Sequence, residues 1–145
     1  MKLRHKLLIT VLALASGGPL QSAQTDSEVA ARKVALELAG AFSNDGFKIR
    51  DGHWTGALKR GEQAVIAVNL YAGNQYWFSV ASQGGAKISA VQLYDEAGQP
   101  LTTENYQDEE KTAAGFAPTV SGQYFVTIGP LEGEPGTFCL VYSYR

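Results

Sequence analysis

Between Gln63 and Tyr144 the chain is a succession of short β-rich runs, each closed by a turn signal. Gly73-Asn74 leads into Gln75-Tyr76-Trp77-Phe78-Ser79-Val80, and Asp95-Glu96-Ala97-Gly98 closes 87–94. Ser121-Gly122 launches Gln123-Tyr124-Phe125-Val126-Thr127-Ile128, and the turn at 133–136 precedes the last run, 137–144. Runs of this length at this spacing predict an antiparallel sandwich or barrel, because each is too short to be a buried helix and each ends on residues that reverse the chain. The pattern sets a shape and names no reaction.

Eight strands are expected, at 54–59, 63–71, 75–81, 87–94, 99–105, 111–117, 123–129 and 136–144. Side chains alternate across a strand. Ala64, Ile66, Val68 and Leu70 therefore share one face, as do Tyr76, Phe78 and Val80. Val91 with Leu93, Tyr124 with Val126 and Ile128, and Phe138 with Leu140 and Tyr142 complete the expected inter-sheet core. Each large side chain buried there contributes roughly 1.5–3 kcal/mol. The opposite faces carry Val65, Ala67, Trp77, Phe125, Cys139 and Val141. If those six belong to one sheet, that sheet needs a cover, since a contiguous apolar patch is a binding surface or a liability.

A helix at 24–46 is the nearest cover. Thr25-Asp26-Ser27-Glu28 has the form of a capping box. Val34, Leu38, Ala41 and Phe42 then recur at helical spacing beside Ala30, Ala31 and Ala35, and Asn44-Asp45-Gly46 stops the run. The chain is thus expected to be mainly β: an antiparallel, jelly-roll-like β-sandwich of about eight strands over 47–145, with one N-terminal α-helix packed on it.

Residues 1–23 read as a signal peptide. Lys2, Arg4 and Lys6 make a basic start, 7–15 is apolar apart from Thr10, and small and turn-forming residues follow. A nine-residue apolar run cannot span a bilayer that needs about 20 residues, so no transmembrane segment is expected in the mature protein. Ala13-Leu14-Ala15 and Ala23 are the cleavage candidates. Removing the leader takes three basic residues from the chain's 12 and leaves 14 acidic ones, a formal charge of −5. That balance argues against a nucleic-acid or anionic-membrane partner. Cys139 is the one cysteine, so no internal disulfide can form, and an exported location in the periplasm or beyond the cell is expected.

Leu58-Lys59-Arg60-Gly61-Glu62 followed by Val68-x-Leu70-x-Ala72-Gly73-x-x-Tyr76-x-Phe78-x-Val80 resembles the opening of bacterial pre-peptidase C-terminal (PPC) domains. Val91-x-Leu93-Tyr94-Asp95-x-x-Gly98-x-x-Leu101, Phe116-Ala117-Pro118 and Ser121-Gly122-x-Tyr124-x-Val126-x-Ile128 extend the likeness over 54–145 through strand and turn positions. The resemblance implies a small jelly-roll-like sandwich, non-catalytic, of the kind attached to secreted proteases and other exported proteins. Some relatives bind calcium or extracellular polymers. Here a leader and a helix stand where those proteins carry an enzyme domain, so service to a catalytic domain in the same chain is not expected.

The residues that could carry chemistry are few. His53, in Asp51-Gly52-His53-Trp54 and with Asp45 also near in sequence, could act as a base or metal ligand oriented by a carboxylate, the basis of a small-hydrolase reading. It has no second histidine or cysteine pair for zinc, and no Gly-x-Ser-x-Gly elbow accompanies it. Asp95, Asp108, Glu109 and Glu110 are calcium candidates in acidic loops, since calcium takes about six to eight oxygen ligands. Each of these loops is equally well explained as a solvated turn. Trp54, Trp77 and Phe125 are the ligand-stacking candidates, although strands favour aromatics for packing alone. Cys139 reads as an inert buried thiol, with intermolecular bridging the alternative. The function these features predict is a non-catalytic exported binding or structural module recognising a protein or cell-envelope component, with a calcium-dependent carbohydrate-binding module as the alternative.

Overall fold

Residues 25–50, 52–108 and 111–145 are described by the computed structural model. The signal peptide expected at 1–23 lies outside them, as do Asp51, Glu109 and Glu110.

Among the described residues a helix, α1 (Asp26–Ala41), precedes eleven strands. In chain order these are β1 (Lys48–Ile49), β2 (Trp54–Leu58), β3 (Ala64–Leu70), β4 (Tyr76–Gln83), β5 (Ala86–Ile88) and β6 (Val91–Tyr94). There follow β7 (Glu104–Gln107), β8 (Lys111–Phe116), β9 (Gly122–Ile128), β10 (Leu131–Gly133) and β11 (Gly136–Tyr144). One sheet runs β1-β11-β4-β8-β7, with β2 also on β11, and a second runs β3-β9-β6. The order β2-β11-β4-β8 over β3-β9-β6 is that of a jelly roll lacking the last strand of its second sheet.

The missing strand is the one expected at 99–105. Against β6 that segment forms only a single bridge, Pro100 with Tyr94, together with Leu101 N–H donating to Leu93 O at 2.9 Å. Proline has no N–H to continue a ladder. The chain then crosses to the other sheet and returns as β7, paired with β8 from Glu104↔Gly115 to Gln107↔Thr112. The strand expected at 87–94 is likewise two strands. It bends at Ser89-Ala90, where Gly129 N–H donates to Ala90 O at 3.0 Å and Ser89 Oγ donates to Pro130 O at 2.7 Å. The ribbon β9–β6 therefore turns a corner as β10–β5, and each long run is shared between two sheets.

The alternation itself holds. Phe78, Leu70, Leu93, Val126, Ile128 and Leu140 are fully buried between the sheets, with Val68, Tyr76, Val80, Val91, Tyr124, Phe138 and Tyr142 around them. Ala64 and Ile66 point into the same core but are only half-buried.

The six outward apolar residues do not share a sheet. Trp77, Cys139 and Val141 face α1, whereas Val65, Ala67 and Phe125 lie on the far side of the three-stranded sheet. The helix meets its sheet through Ala31, Ala35 and Ala39, which pack on Ala81, Cys139 and Val141. The expected stripe through Val34, Leu38, Ala41 and Phe42 is therefore displaced: Leu38 is buried, but Val34 is half-buried and Ala41 exposed. Alanine brings the helix backbone closest to a flat sheet, so the alanine face is the one turned inward. The capping box is half made. Thr25 Oγ1 accepts the Glu28 N–H at 3.2 Å, but the Glu28 carboxylate turns away to accept the Thr55 hydroxyl of β2 at 3.4 Å.

Candidate functional site

The end of α1 builds the most distinctive recess in the molecule. After Ala41 the chain tightens into a 3₁₀ turn, Ser43–Asp45, and reverses at Gly46 with φ of 86°. Only a residue without a Cβ adopts that angle readily, and the reversal drops Phe42 and Phe47 onto the sheet. The Phe42 ring lies parallel to Trp77 at 4.4 Å and 8°, and Phe47 meets Phe42 edge-on at 6.4 Å. Trp77 is opposite Gly115 in the β4–β8 register. A Cβ on Gly115 would come within 2.9 Å of the indole. The indole thus lies against the bare backbone of Gly115 and under Phe42.

Arg145 closes the opposite wall. Its guanidinium sits 4.7 Å over the Phe47 ring, Nε donates to Gln75 Oε1 at 2.7 Å, and Nη1 donates to Asp45 O. Backbone bonds run both ways between Gln75 and Arg145, at 2.9 and 3.0 Å. A cation over a ring is attracted by the π face and held in place by its hydrogen bonds. The recess between these walls has a volume of about 400 Å³ and also takes in Glu104, Gly115, Phe116 and Ala117. It offers ring edges, an amide, carboxylates and a guanidinium, the mixture of apolar wall and few polar groups that small-ligand and side-chain pockets share.

A second recess of about 460 Å³ lies across Phe116 and Ala117, between the Asp95–Ala97 turn and the loop around Val120. Phe116 packs edge-on against Tyr124 at 5.5 Å, whose hydroxyl donates to Val120 O. Phe116 and Ala117 line both recesses, so the two lie side by side at the same end of the sandwich.

The structure scatters the residues singled out from the sequence. Trp54 is half-buried and stacks on Tyr142 of the core at 5.6 Å. Trp77 lines the first recess. Phe125 is half-buried on the outer face of the other sheet, between Ala67 and Tyr94 in the register. The three rings thus lie in three different layers. Asp95 is occupied in closing its own turn: Oδ1 accepts the Gln99 N–H at 2.9 Å and its carbonyl accepts the Gly98 N–H at 3.0 Å. Asp108 starts the β7–β8 turn, bonded through its backbone to Lys111, while Glu109 and Glu110 lie outside the described residues. No group of three or more His, Cys, Asp or Glu side chains able to hold a metal ion occurs among the described residues. His53 is half-buried just before β2 and lines neither recess. Cys139 is buried between α1 and the sheet, where burial pushes its thiol up to about 11 against the opposing pull of Arg32. A thiol held neutral at ordinary pH is a poor nucleophile.

Arg145, Gln75 and Gly115 had no part in the functional expectations from sequence, and Glu104 entered them only as a neighbour of the acidic run at 108–110. A lone glycine inside an otherwise regular strand, Lys-Thr-Ala-Ala-Gly-Phe, is the one local sign of a close approach by another group. Gln75 and Asp45 meet Arg145 only through pairings 70 and 100 residues apart, which no local pattern carries. Among the described residues no helix is long and apolar enough to cross a membrane. No family model matches this chain, and no curated protein matches it.

Proposed function

We propose that this chain is an exported, non-catalytic binding module of the PPC kind, which holds a protein or cell-envelope component at the loop end of its sandwich. One observation carries the reading: two recesses of side-chain size meet at Phe116 and Ala117 on a surface whose walls are fixed by the Phe42–Trp77 stack and the Arg145 clasp. A rigid, partly aromatic concavity with a few polar groups binds well because little side-chain freedom is lost when it is filled. The leader-like residues 1–23 support an exported setting.

The test is capture from the protein's own cell envelope by the wild type and by Ala117→Arg, a change at an exposed position common to both recesses. The arginine should fill the surface, leave the unfolding midpoint unchanged and abolish capture of the partner. Equal recovery by both proteins would place recognition elsewhere. Cell fractionation with N-terminal sequencing checks the setting, and a cytoplasmic product retaining residues 1–23 would rule out export.

A further inference from the structure

The free edges of the two sheets are not treated alike. The outer edge of β6 is covered by 99–101, through the Tyr94–Pro100 bridge and the Leu101-to-Leu93 hydrogen bond. The edge strand β7 is four residues long, starts at Glu104 and is exposed throughout. On the other flank β1 has two residues, Ile49 and the charged Lys48, with Arg50 next, and β2 has five with Gly56 at its centre. Short length, charge and a proline-bearing cover are the usual means by which an edge avoids pairing with another chain.

β3 has none of them. It is seven residues long, Ala-Val-Ile-Ala-Val-Asn-Leu, and no charged residue occurs from Gln63 to Ala86. Among the described residues it pairs with β9 alone, and the hydrogen bonds between Glu62, Gly61 and Leu131 end where the strand begins. Val65 on its outer face is 60% exposed. Ala64 and Ile66 point inward and are still only half-buried, because the edge beside them is open.

We propose that the β3 edge is a self-association surface that pairs antiparallel with the β3 of a second copy across a two-fold axis at Ala67. A two-fold contact presents the same patch twice, so it requires a self-complementary strand. β3 meets that condition in charge and in side chain. In a chain of net negative formal charge, a strand without charges places no like charges opposite one another. With Ala67 on the axis all seven residues overlap: Ile66 faces the partner's Val68 and Ala64 the partner's Leu70 on the inner side. Val65 faces the partner's Asn69 on the outer side. This register keeps inward residues opposite inward residues and covers the half-exposed Ala64 and Ile66, and the two three-stranded sheets become one of six. A seven-residue strand pair lies at the small end of specific interfaces, so the dimer is weak and concentration-dependent.

Sedimentation equilibrium on the wild type, Ala67→Lys, Ala67→Glu and an equimolar mixture of the two variants tests this. Ala67 is exposed on the outer face, so both variants should keep the wild-type unfolding midpoint. The wild type should show a monomer–dimer equilibrium. Each variant should dimerise less, by roughly fivefold or more, since like charges then face each other across the axis. The mixture should recover association as a heterodimer. A wild type that stays monomeric up to millimolar concentration overturns the proposal, and so does a dimer indifferent to both substitutions. Hydrogen exchange supplies an independent reading: β3 amides protected equally at low and high protein concentration would mean that the edge is already covered within one chain, and the proposal fails.

Discussion

The sandwich has two outer faces, and both carry apolar residues, yet among the described residues only one is covered. On the face of β4 and β11 the outward positions are Ala81, Cys139, Val141, Ser79 and Ser143, with Trp77 at the end, and α1 lies on them through Ala31, Ala35 and Ala39. On the face of β3, β9 and β6 the rows are Val65–Thr127–Gln92, Ala67–Phe125–Tyr94 and Asn69–Gln123. Polar residues interrupt each of those rows, and in the first row both are hydrogen-bonded. Thr127 donates to Gln92 O at 3.3 Å, and the Gln92 amide donates to Leu101 O at 2.9 Å. The difference is one of texture more than of hydrophobicity. A face of small side chains lets a helix backbone approach, whereas a face of mixed large and polar side chains can stand in water.

The sharpest way to break this comparison is to add the same atoms to both faces. Ala35→Leu inserts a larger side chain at a position with no exposed surface, against Cys139 and Val141, and should cost about 3 kcal/mol in urea unfolding. Ala67→Leu, measured at dilute concentration, adds the same group on the open face and should change stability by about 0.5 kcal/mol or less. Similar losses from the two changes would mean that the second face is also under close-packed cover.

The contrast also shows what a sequence can carry. Alternation from Ala64 to Leu70 and from Tyr76 to Val80 is legible because a strand writes its two faces in neighbouring residues, and the inter-sheet core follows from it. Sheet membership is not written locally. Trp77 and Phe125 look equally outward in sequence, and only the crossing of the chain between sheets puts one under α1 and the other in the open. The segment 99–105 misleads for a similar reason: Leu101 has strand character and does dock on β6, but Pro100 ends the ladder after one bridge. The recess was least legible, because Arg145, Gln75 and Asp45 acquire their roles through contacts that exist only once the sheet is complete.

Raising the pH probes how tightly the covered face is sealed. Burial raises the Cys139 thiol from its ordinary 9.0 to about 11, and raises the Tyr142 phenol as well, with Arg50 opposing. Both groups are held in their neutral, protonated forms in the folded chain. Above about pH 9 the unfolded chain therefore binds fewer protons than the folded one, so stability falls with rising pH and levels off once the folded thiol has ionised. The loss attributable to the thiol is roughly 2 kcal/mol across that window. Cys139→Ala removes that share, and its unfolding free energy should decline less between pH 9 and 10 than that of the wild type. Parallel slopes for the two proteins would show that the thiol already ionises freely in the fold and that the helix covers it poorly.

The smallest expected effect compares two serines three residues apart on β4. Ser82 and Ser79 are both buried, but Ser82 Oγ donates to Ala86 O at 2.8 Å, whereas Ser79 Oγ has no hydrogen-bond partner among the described residues. Replacing a bonded hydroxyl by a methyl loses a hydrogen bond and leaves a carbonyl short of one donor, so Ser82→Ala should cost about 1 kcal/mol. Ser79→Ala removes a hydroxyl whose desolvation nothing offsets and should be neutral or stabilising, by up to about 1 kcal/mol. The sign of the Ser79 change is the informative quantity. Serine is tolerated beneath α1 because the layer selects for small volume, and alanine satisfies that requirement without the polar cost. A destabilising Ser79→Ala would mean that the hydroxyl is bonded in solution, through a buried water or a shifted carbonyl of α1. The helix would then be held to its sheet by a specific polar contact, and small size alone would no longer explain why it lies there.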